Sequence, residues 1–533
     1  MRKFNVTGIC VPNRHYMVDI TEKVEQIFKL VQEEAYFTIN RGRQYGKTTT
    51  LGRLEKRMPV DFICASISFQ YSDNEMFAKT EGFCQELINR IYNSLLINHK
   101  EEAKLWLDDS ITSFGKLNHF ITERCRGKKI VLIIDEADEA SNNNIFVTFL
   151  KMLRDKFLFR NAEKDYTFHT VILAGVYDVR NLKQKMVLAG NYTPSVGESA
   201  MNSPWNIAVD FNIDMSFSAK EIETMLIDYD NEHHTGMDIN EIAKEIRFYT
   251  SGYPYLVSRI CLLIEDEIDR NWTIEGIQEA IKIMLDENST LFDDLIKKLE
   301  ENQELSDLLF DLTVGKIKYT FNADDPIIKL GLMFGFLSKG KDGLQVHNKI
   351  FEIRIANYFI SKNTRKWREN NIVQTPANEI IKNNVFDMEL CLTKFKKHYA
   401  EIYTNKDLKF LERNGKFIFL TYIIPLINGT GFYHFESQTR DHGKIDLVID
   451  FLKQQFILEL KIWNGDSKHE DAYEQLAKYL KSKNMDSGYL LTFDFRKKGD
   501  DSHSENKWVE CDGKRIFDVV LRVGKEEDVN RSS

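Results

Sequence analysis

The stretch Ala35-Tyr-Phe-Thr-Ile-Asn-Arg41-Gly42-Arg43-Gln44-Tyr45-Gly46-Lys47-Thr48-Thr49 decides how the first part of the chain is read. Residues 35–41 predict a short strand, and the residues from Lys47 onward predict a helix. A glycine-containing turn between a strand and a helix N-terminus is where backbone amides bind phosphate. Gly46, Lys47 and Thr48 suit that chemistry, since the lysine reaches phosphate oxygens and the hydroxyl ligates Mg²⁺. The first glycine of G-x-x-x-x-G-K-[ST] is missing, because Arg41 stands in its place. Alone, G-K-T leaves an ordinary strand–helix turn open as the alternative.

Outward from this stretch, residues 61–69, 129–135 and 170–174 predict further strands, with a helix around Ile145–Phe157. Strands alternating with helices predict a parallel α/β sheet. The run Val131-Leu-Ile-Ile-Asp135-Glu136 is a buried strand ending in two acids. Asp135 would hold Mg²⁺ through water, and Glu136 would polarise the attacking water. With G-K-T expected on the adjoining element, the pair predicts a site for ATP and Mg²⁺. Gly175, after the fourth strand, offers no polar side chain for a sensor role, and no arginine finger is nominated: Arg154 and Arg160 are candidates by position alone.

After Trp205 the pattern turns helical, with capping-box spacing at Ser218–Glu221 and Asp238–Glu241. Residues 325–360 read as helix, short hairpin-like pair and helix, an order that suits a winged-helix-like module. The polar, basic segment 361–375 reads as a linker. Beyond a helical stretch to about Ile427, strands at 432–437, 445–450, 456–462 and 487–494 and a helix at 469–482 predict a second α/β domain. The expected division is 1–215, 216–300, 301–365 and 366–533.

Composition narrows the classes. With 43% apolar and 29% charged residues, the 533-residue chain is neither collagen-like nor mainly disordered. Its seven cysteines are scattered without a C-x-x-C pair, which fits reduced thiols and argues against a disulfide framework or zinc knuckle. The start has no signal-peptide core, and the most apolar run, Phe417–Ile427, contains Pro425 and is far short of the roughly 20 residues a bilayer needs. A cytoplasmic protein without a membrane partner is expected. The net charge of −9 hides an acidic first 360 residues and a near-neutral remainder, so bulk charge argues for no nucleic-acid partner. Monomer and homo-oligomer both stay open.

Two alternating runs in the last third carry a second constellation: Lys444-Ile-Asp446-Leu-Val-Ile-Asp450 and Phe456-Ile-Leu-Glu459-Leu-Lys461-Ile462. A hairpin turning between Leu452 and Lys453 sets Asp446 opposite Glu459, with Lys461 two residues along the same face. Facing carboxylates bind Mg²⁺, and a nearby lysine stabilises charge on phosphate, the set needed for phosphodiester cleavage. A solvent-exposed cross-strand ion pair fits these two strands equally well.

The loop Arg41-Gly-Arg43-Gln-Tyr-Gly46-Lys47-Thr48 and the Asp135–Glu136 strand resemble the AAA-ATPase-like proteins of the P-loop superfamily, related to the signal-transducing ATPases with numerous domains. Their loop often reads R-x-R-x-x-G-K-T, so the resemblance implies that Arg43 and Thr49 accompany Gly46, Lys47 and Thr48 at the nucleotide. Gly252-Tyr253-Pro254 resembles the G-x-P turn of their helical lid, which implies Pro254 near adenine; a plain inter-helix turn fits equally.

Asp446, Glu459 and Lys461, spaced D-x12-E-x-K behind Gly443-Lys444, resemble the PD-(D/E)XK nucleases. Gln475 and Tyr479 match the Q-x-x-x-Y of the RecB-like branch of that group. The resemblance implies that Glu412 completes the metal set, with Glu436 competing, and that the partner is nucleic acid, DNA in first place. The implied whole is an α/β multidomain protein: a P-loop ATPase core, a helical lid, a winged-helix-like module and a restriction-endonuclease-like domain. A defence role against foreign DNA is what such a fusion suggests. The alternative is an ATP-regulated binding protein whose nuclease-like domain does not cleave. His233-His234, His442 and the basic run Lys362–Arg368 read more simply as loop and solvated residues.

Overall fold

The computed structural model describes residues 2–70, 76–138, 140, 143–176, 205–315, 317–369, 377–402, 408–427, 430–434, 447–463, 465–496 and 505–522. It divides into two units, Met1–Asp293 with Phe321–Lys339, and Asp294–Thr320 with Gly340–Ser533.

The first unit is built on strands β1 (Phe37–Asn40), β2 (Phe62–Ser68), β3 (Lys129–Asp135) and β4 (Thr170–Gly175). All pair in parallel, in the order β1-β4-β3-β2. The adjoining position expected for the two site strands is corrected here: β4 lies between β1 and β3. A parallel bridge from Phe37 to Val209 extends the ladder on the far side of β1. Every residue of β3 from Ile130 to Asp135 is buried, because helices cover both faces of a parallel sheet. Phe83, Leu87, Trp106, Phe149, Leu153 and Trp205 fill one such layer.

Helices Ala219–His233, Ile239–Thr250, Pro254–Asp266 and Ile274–Asp286 follow, as the sequence predicts. Ser218 and Glu221 form the full capping box, and the Asp238 side chain accepts from the Glu241 amide. His233, read as a loop residue, ends the first of these helices, where it stacks on Tyr229 at 4.3 Å and meets the Tyr16 hydroxyl at 3.0 Å. Segment Phe321–Lys339, with its helix Pro326–Phe334, groups with this unit, while the rest of the winged-helix-like stretch groups with the second. The order of helix, strands β5 (Leu337–Gly340) and β6 (Gly343–Val346), and helix is the expected one.

In the second unit the expected linker is corrected: helix Lys349–Glu369 runs through its first half. Lys362, Arg365 and Arg368 decorate a helix, so a polar, charged stretch without proline read as a connection. After the short pair β7 (Ile381–Lys382) and β8 (Val385–Phe386) come helices Met388–Ile402 and Leu408–Ile427, the second carrying the apolar run around Pro425. The six-stranded sheet contains β9 (Gly431–His434), β10 (Leu447–Phe451), β11 (Gln454–Ile462), β12 (Ser487–Asp494), β13 (Lys507–Cys511) and β14 (Lys514–Arg522). Their order is β13-β14-β12-β11-β10-β9, with β11, β12 and β14 mutually parallel. Strands β13 and β14 are additions to the predicted set. Helix Asp466–Ser482 covers one face through Ala472, Leu476, Ala477 and Leu480 over Val448, Ile457, Leu490 and Ile516. Among the described residues no helix is long and apolar enough to cross a membrane.

Gly252 follows the end of helix Ile239–Thr250 with φ +72°, and a Cβ there would lie 2.0 Å from the Phe217 carbonyl oxygen. Its own carbonyl accepts from the Phe217 amide at 2.8 Å. Gly252→Ala is expected to destabilise the protein by about 2 kcal/mol or more, and Ser218→Ala by about 1 kcal/mol. Urea denaturation followed by circular dichroism checks both.

Candidate functional site

The phosphate loop leaves β1 at Arg41 and enters helix Lys47–Arg57 at Gly46. Positive φ falls on Gln44 (+54°) and Gly46 (+76°), not on Arg41. The position therefore accepts a side chain, and Arg41 turns it aside: its guanidinium donates to the Asn40 and Ile213 carbonyls at 2.9 and 3.0 Å and lies 5.6 Å over the Phe211 ring. The missing glycine is thus replaced without blocking the loop.

Lys47 is buried, and its amine donates to the Arg41 and Gly42 carbonyls, both at 3.0 Å. Burial pushes the amine below the usual lysine range, and the charges of Glu136, Asp138 and Asp135 oppose that shift. Thr48 Oγ1 donates to Asp135 Oδ2 at 2.7 Å, which joins the helix after β1 to the end of β3. Glu136 follows with φ +53°, its amide bonded to Asp135 Oδ1 at 3.0 Å. Arg43 is exposed. Thr49 accepts from the Cys10 amide at 3.1 Å, so it ties the N-terminal segment to the helix. Beside it opens a cavity of about 590 Å³ lined by Val11, Pro12, Thr49, Arg53 and Phe62 among others.

The turn Gly252-Tyr253-Pro254 reaches this loop. The Tyr253 hydroxyl donates to the Arg43 carbonyl, and its ring packs edge-on to Tyr45 at 4.7 Å. Pro254 sits 3.7 Å from where a Gly46 Cβ would stand. Gly42 has no room for a side chain either, since its Cβ would fall 2.6 Å from the Phe334 carbonyl oxygen.

Sequence reasoning overlooked Tyr253, Phe334 and Asp138. The Tyr253 signal was available in the G-x-P turn; the other two follow from tertiary placement. Asp138 explains the bare Gly175: its Oδ1 lies 2.4 Å from where a Gly175 Cβ would be, and Oδ2 accepts from the Val176 amide at 3.2 Å. Arg154 binds Asn206, and Arg160 donates to the Phe168, His169 and Glu34 carbonyls. Those bonds engage both side chains in fixing neighbouring segments.

In the second unit β10 and β11 pair antiparallel as predicted, Leu447 opposite Leu458 and Phe451 opposite Gln454, about the turn Leu452-Lys453. Leu452 takes φ +51°, the conformation that Asn or Gly usually supplies in such turns. Glu459 is 1% exposed and ion-paired with Lys461, whose amine also donates to Gln475 Oε1 at 3.3 Å. A solvent-exposed ion pair is therefore excluded for Glu459. The opposite face of the hairpin is apolar and buried at Leu447, Ile449, Leu458 and Leu460, while Ile462 is 39% exposed at the strand end. Tyr479 is buried in the core beneath its helix. Asp446, Glu436, His442 and Gly443 lie outside the described residues, as does the side chain of Glu412 on helix Leu408–Ile427. Among the described residues no group of three or more His, Cys, Asp or Glu could hold a metal ion.

The chain is similar to several known proteins. A WD repeat-containing protein of Synechocystis, itself uncharacterized, is 22% identical over 358 residues, 61% of this chain. The chain spans only 28% of that relative's length. A Walker-type ATPase of Pyrococcus abyssi superposes with a TM-score of 0.46 at 12% identity, over 66% of this chain and 99% of the other. The Aeropyrum pernix ORC1 protein, solved in complex with DNA, gives 0.29 at 11% identity over 66% and 96%. The model of the AAA-like domain family matches residues 13–323, which hold the phosphate loop, the Asp135–Glu136 strand end and the Gly252–Pro254 turn. On that match the chain belongs to the AAA-like domain family.

Proposed function

We propose that the protein binds and hydrolyses ATP at the loop Arg41–Thr49 and couples nucleotide state to Mg²⁺-dependent cleavage of DNA by its C-terminal domain. The observation that carries the first part is the 2.7 Å bond between Thr48 Oγ1 and Asp135 Oδ2. A hydroxyl and a carboxylate side by side are the hard oxygen donors that Mg²⁺ prefers. Thr48 and Asp135 would hold the ion, which when bound neutralises charge on the β- and γ-phosphates. Lys47 would exchange the two loop carbonyls for phosphate oxygens, and Glu136 would orient the attacking water. Arg43 and Thr49 flank the phosphates, and Pro254 borders the base.

The nuclease reading is favoured by one observation, the burial of Glu459 against Lys461 and Gln475. Taking a carboxylate out of water costs several kcal/mol before pairing, and a merely solubilising ion pair has no need of it. Glu459 and Asp446, with Glu412, would hold Mg²⁺, which when bound polarises a phosphodiester and activates water. Lys461, oriented by Gln475, would stabilise charge on the phosphate, and Tyr479 would support that helix from its core. The domain division 1–215, 216–300, 301–365 and 366–533, a cytoplasmic location and a defence role against foreign DNA belong to this same reading.

Lys47→Ala is expected to weaken ATP binding about 100-fold or more, read by calorimetry. Glu136→Gln should retain binding but release phosphate about 100-fold more slowly; equal rates would remove Glu136 from catalysis. On duplex DNA with Mg²⁺, Asp446→Ala, Glu459→Gln and Lys461→Ala should each cut at least about 100-fold more slowly than wild type, with ATP binding intact. Normal cutting by all three would refute the nuclease reading and leave the ATPase reading standing.

A further inference from the structure

A carboxylate beside the nucleotide loop has no part in the chemistry assigned so far. Asp138 lies in the turn that carries the chain from the end of β3 across to the end of β4. The Ala137 amide donates to the Ala174 carbonyl at 2.9 Å, which holds that turn against β4. Asp138 Oδ2 then accepts from the Val176 amide at 3.2 Å. Its other oxygen, Oδ1, is buried, and no donor among the described residues reaches it.

Buried oxygens nearly always have donors, so one left without calls for a reason. The surroundings point to the nucleotide. The seat of Asp138 exists only because residue 175 is glycine, since a Cβ there would overlap Oδ1. Gly175 in turn meets the phosphate loop: its carbonyl accepts from the Arg41 amide at 3.2 Å, and the Arg41 carbonyl accepts from the Lys47 amine. Of the carboxylates whose charge acts on that buried amine, Glu136 is felt most, then Asp138, then Asp135. Coulombic effects fade with distance, so Asp138 stands beside the amine that would hold phosphate oxygens. Holding the Val176 amide needs only one of its two oxygens and no charge.

We propose that Asp138 is a second water-orienting carboxylate, whose Oδ1 accepts one hydrogen of the attacking water while Glu136 accepts the other. This inference rests on the hydrolysis reading for its reaction. A water held by both hydrogens presents a lone pair to the γ-phosphorus. As the oxygen–phosphorus bond forms, the bond to the β–γ bridging oxygen breaks, and ADP leaves with that electron pair. One water proton passes to Glu136, and the other stays on the inorganic phosphate. The bare position at Gly175 is thus filled from the neighbouring strand, by a side chain reaching over from the end of β3.

Asp138→Asn separates this role from a structural one. The carboxamide keeps an oxygen for the Val176 amide, but N–H replaces Oδ1 and a negative charge is lost. The variant should release phosphate about 10- to 100-fold more slowly than wild type, with its melting temperature kept. By calorimetry it should bind ATP about threefold or more tightly and ADP within about twofold of wild type, because only ATP brings a γ-phosphate to the Asp138 charge. Gly175→Ala, whose methyl displaces Oδ1, should slow release to a similar extent; if either variant does not fold, the other carries the test. Wild-type phosphate release in the folded variant, or equal shifts in ATP and ADP affinity for Asp138→Asn, overturns the proposal. Slow release in Glu136→Gln beside normal release in Asp138→Asn would overturn this inference alone. A wild type that binds ATP and releases no phosphate would refute the hydrolysis reading and this inference together.

Discussion

The bond between Thr48 and Asp135 depends on nearly everything else in the first unit. One partner begins the helix that follows β1, and the other ends β3, with β4 between their strands. The two meet only if the parallel register holds, with Asn40 beside Gly175 and Ser68 beside Asp135 at a common carboxyl edge. That register is set by a strand buried on both faces, so the apolar run before Asp135 is part of the site's geometry. Lys47 adds a second constraint, because an amine withdrawn from water must find oxygens, and the loop carbonyls of Arg41 and Gly42 supply them.

The second unit also withdraws a charged group from water and gives it partners. Its sheet buries Glu459 beneath a helix and keeps Lys461 and Gln475 beside it. The strand end then places two arginines around Asp494 on the same surface. Both units set polar groups at the carboxyl edge of parallel strands, where backbone pairing stops and side chains converge.

Much of this was legible in the sequence where periodicity decides. The alternation in the two runs told which side chains share a face, because a slip of one residue would have moved Glu459 and Lys461 to the opposite face, whereas the turn Leu452-Lys453 has no Asn-Gly signal to fix the exact register. The run 129–135 and the capping boxes were readable for similar reasons. Segment 361–375 misled because a helix with a basic, polar surface lacks the apolar stripe that announces one. The strand between β1 and β3, the packing of Phe334 on Gly42 and the seat of Asp138 on Gly175 are tertiary facts. No local pattern encodes them. Arg41 shows a further limit: its tolerance depends on a negative φ and on a Phe211 ring far along the chain.

In the proposed function Thr48 and Asp135 form one magnesium-dependent nucleotide site. The Mg²⁺ dependence of ATP affinity, measured by calorimetry for wild type and for Asp135→Asn, tests it most directly. The account predicts that Mg²⁺ tightens ATP binding in the wild type and has little effect in the variant. The same Mg²⁺ dependence in both proteins would contradict it.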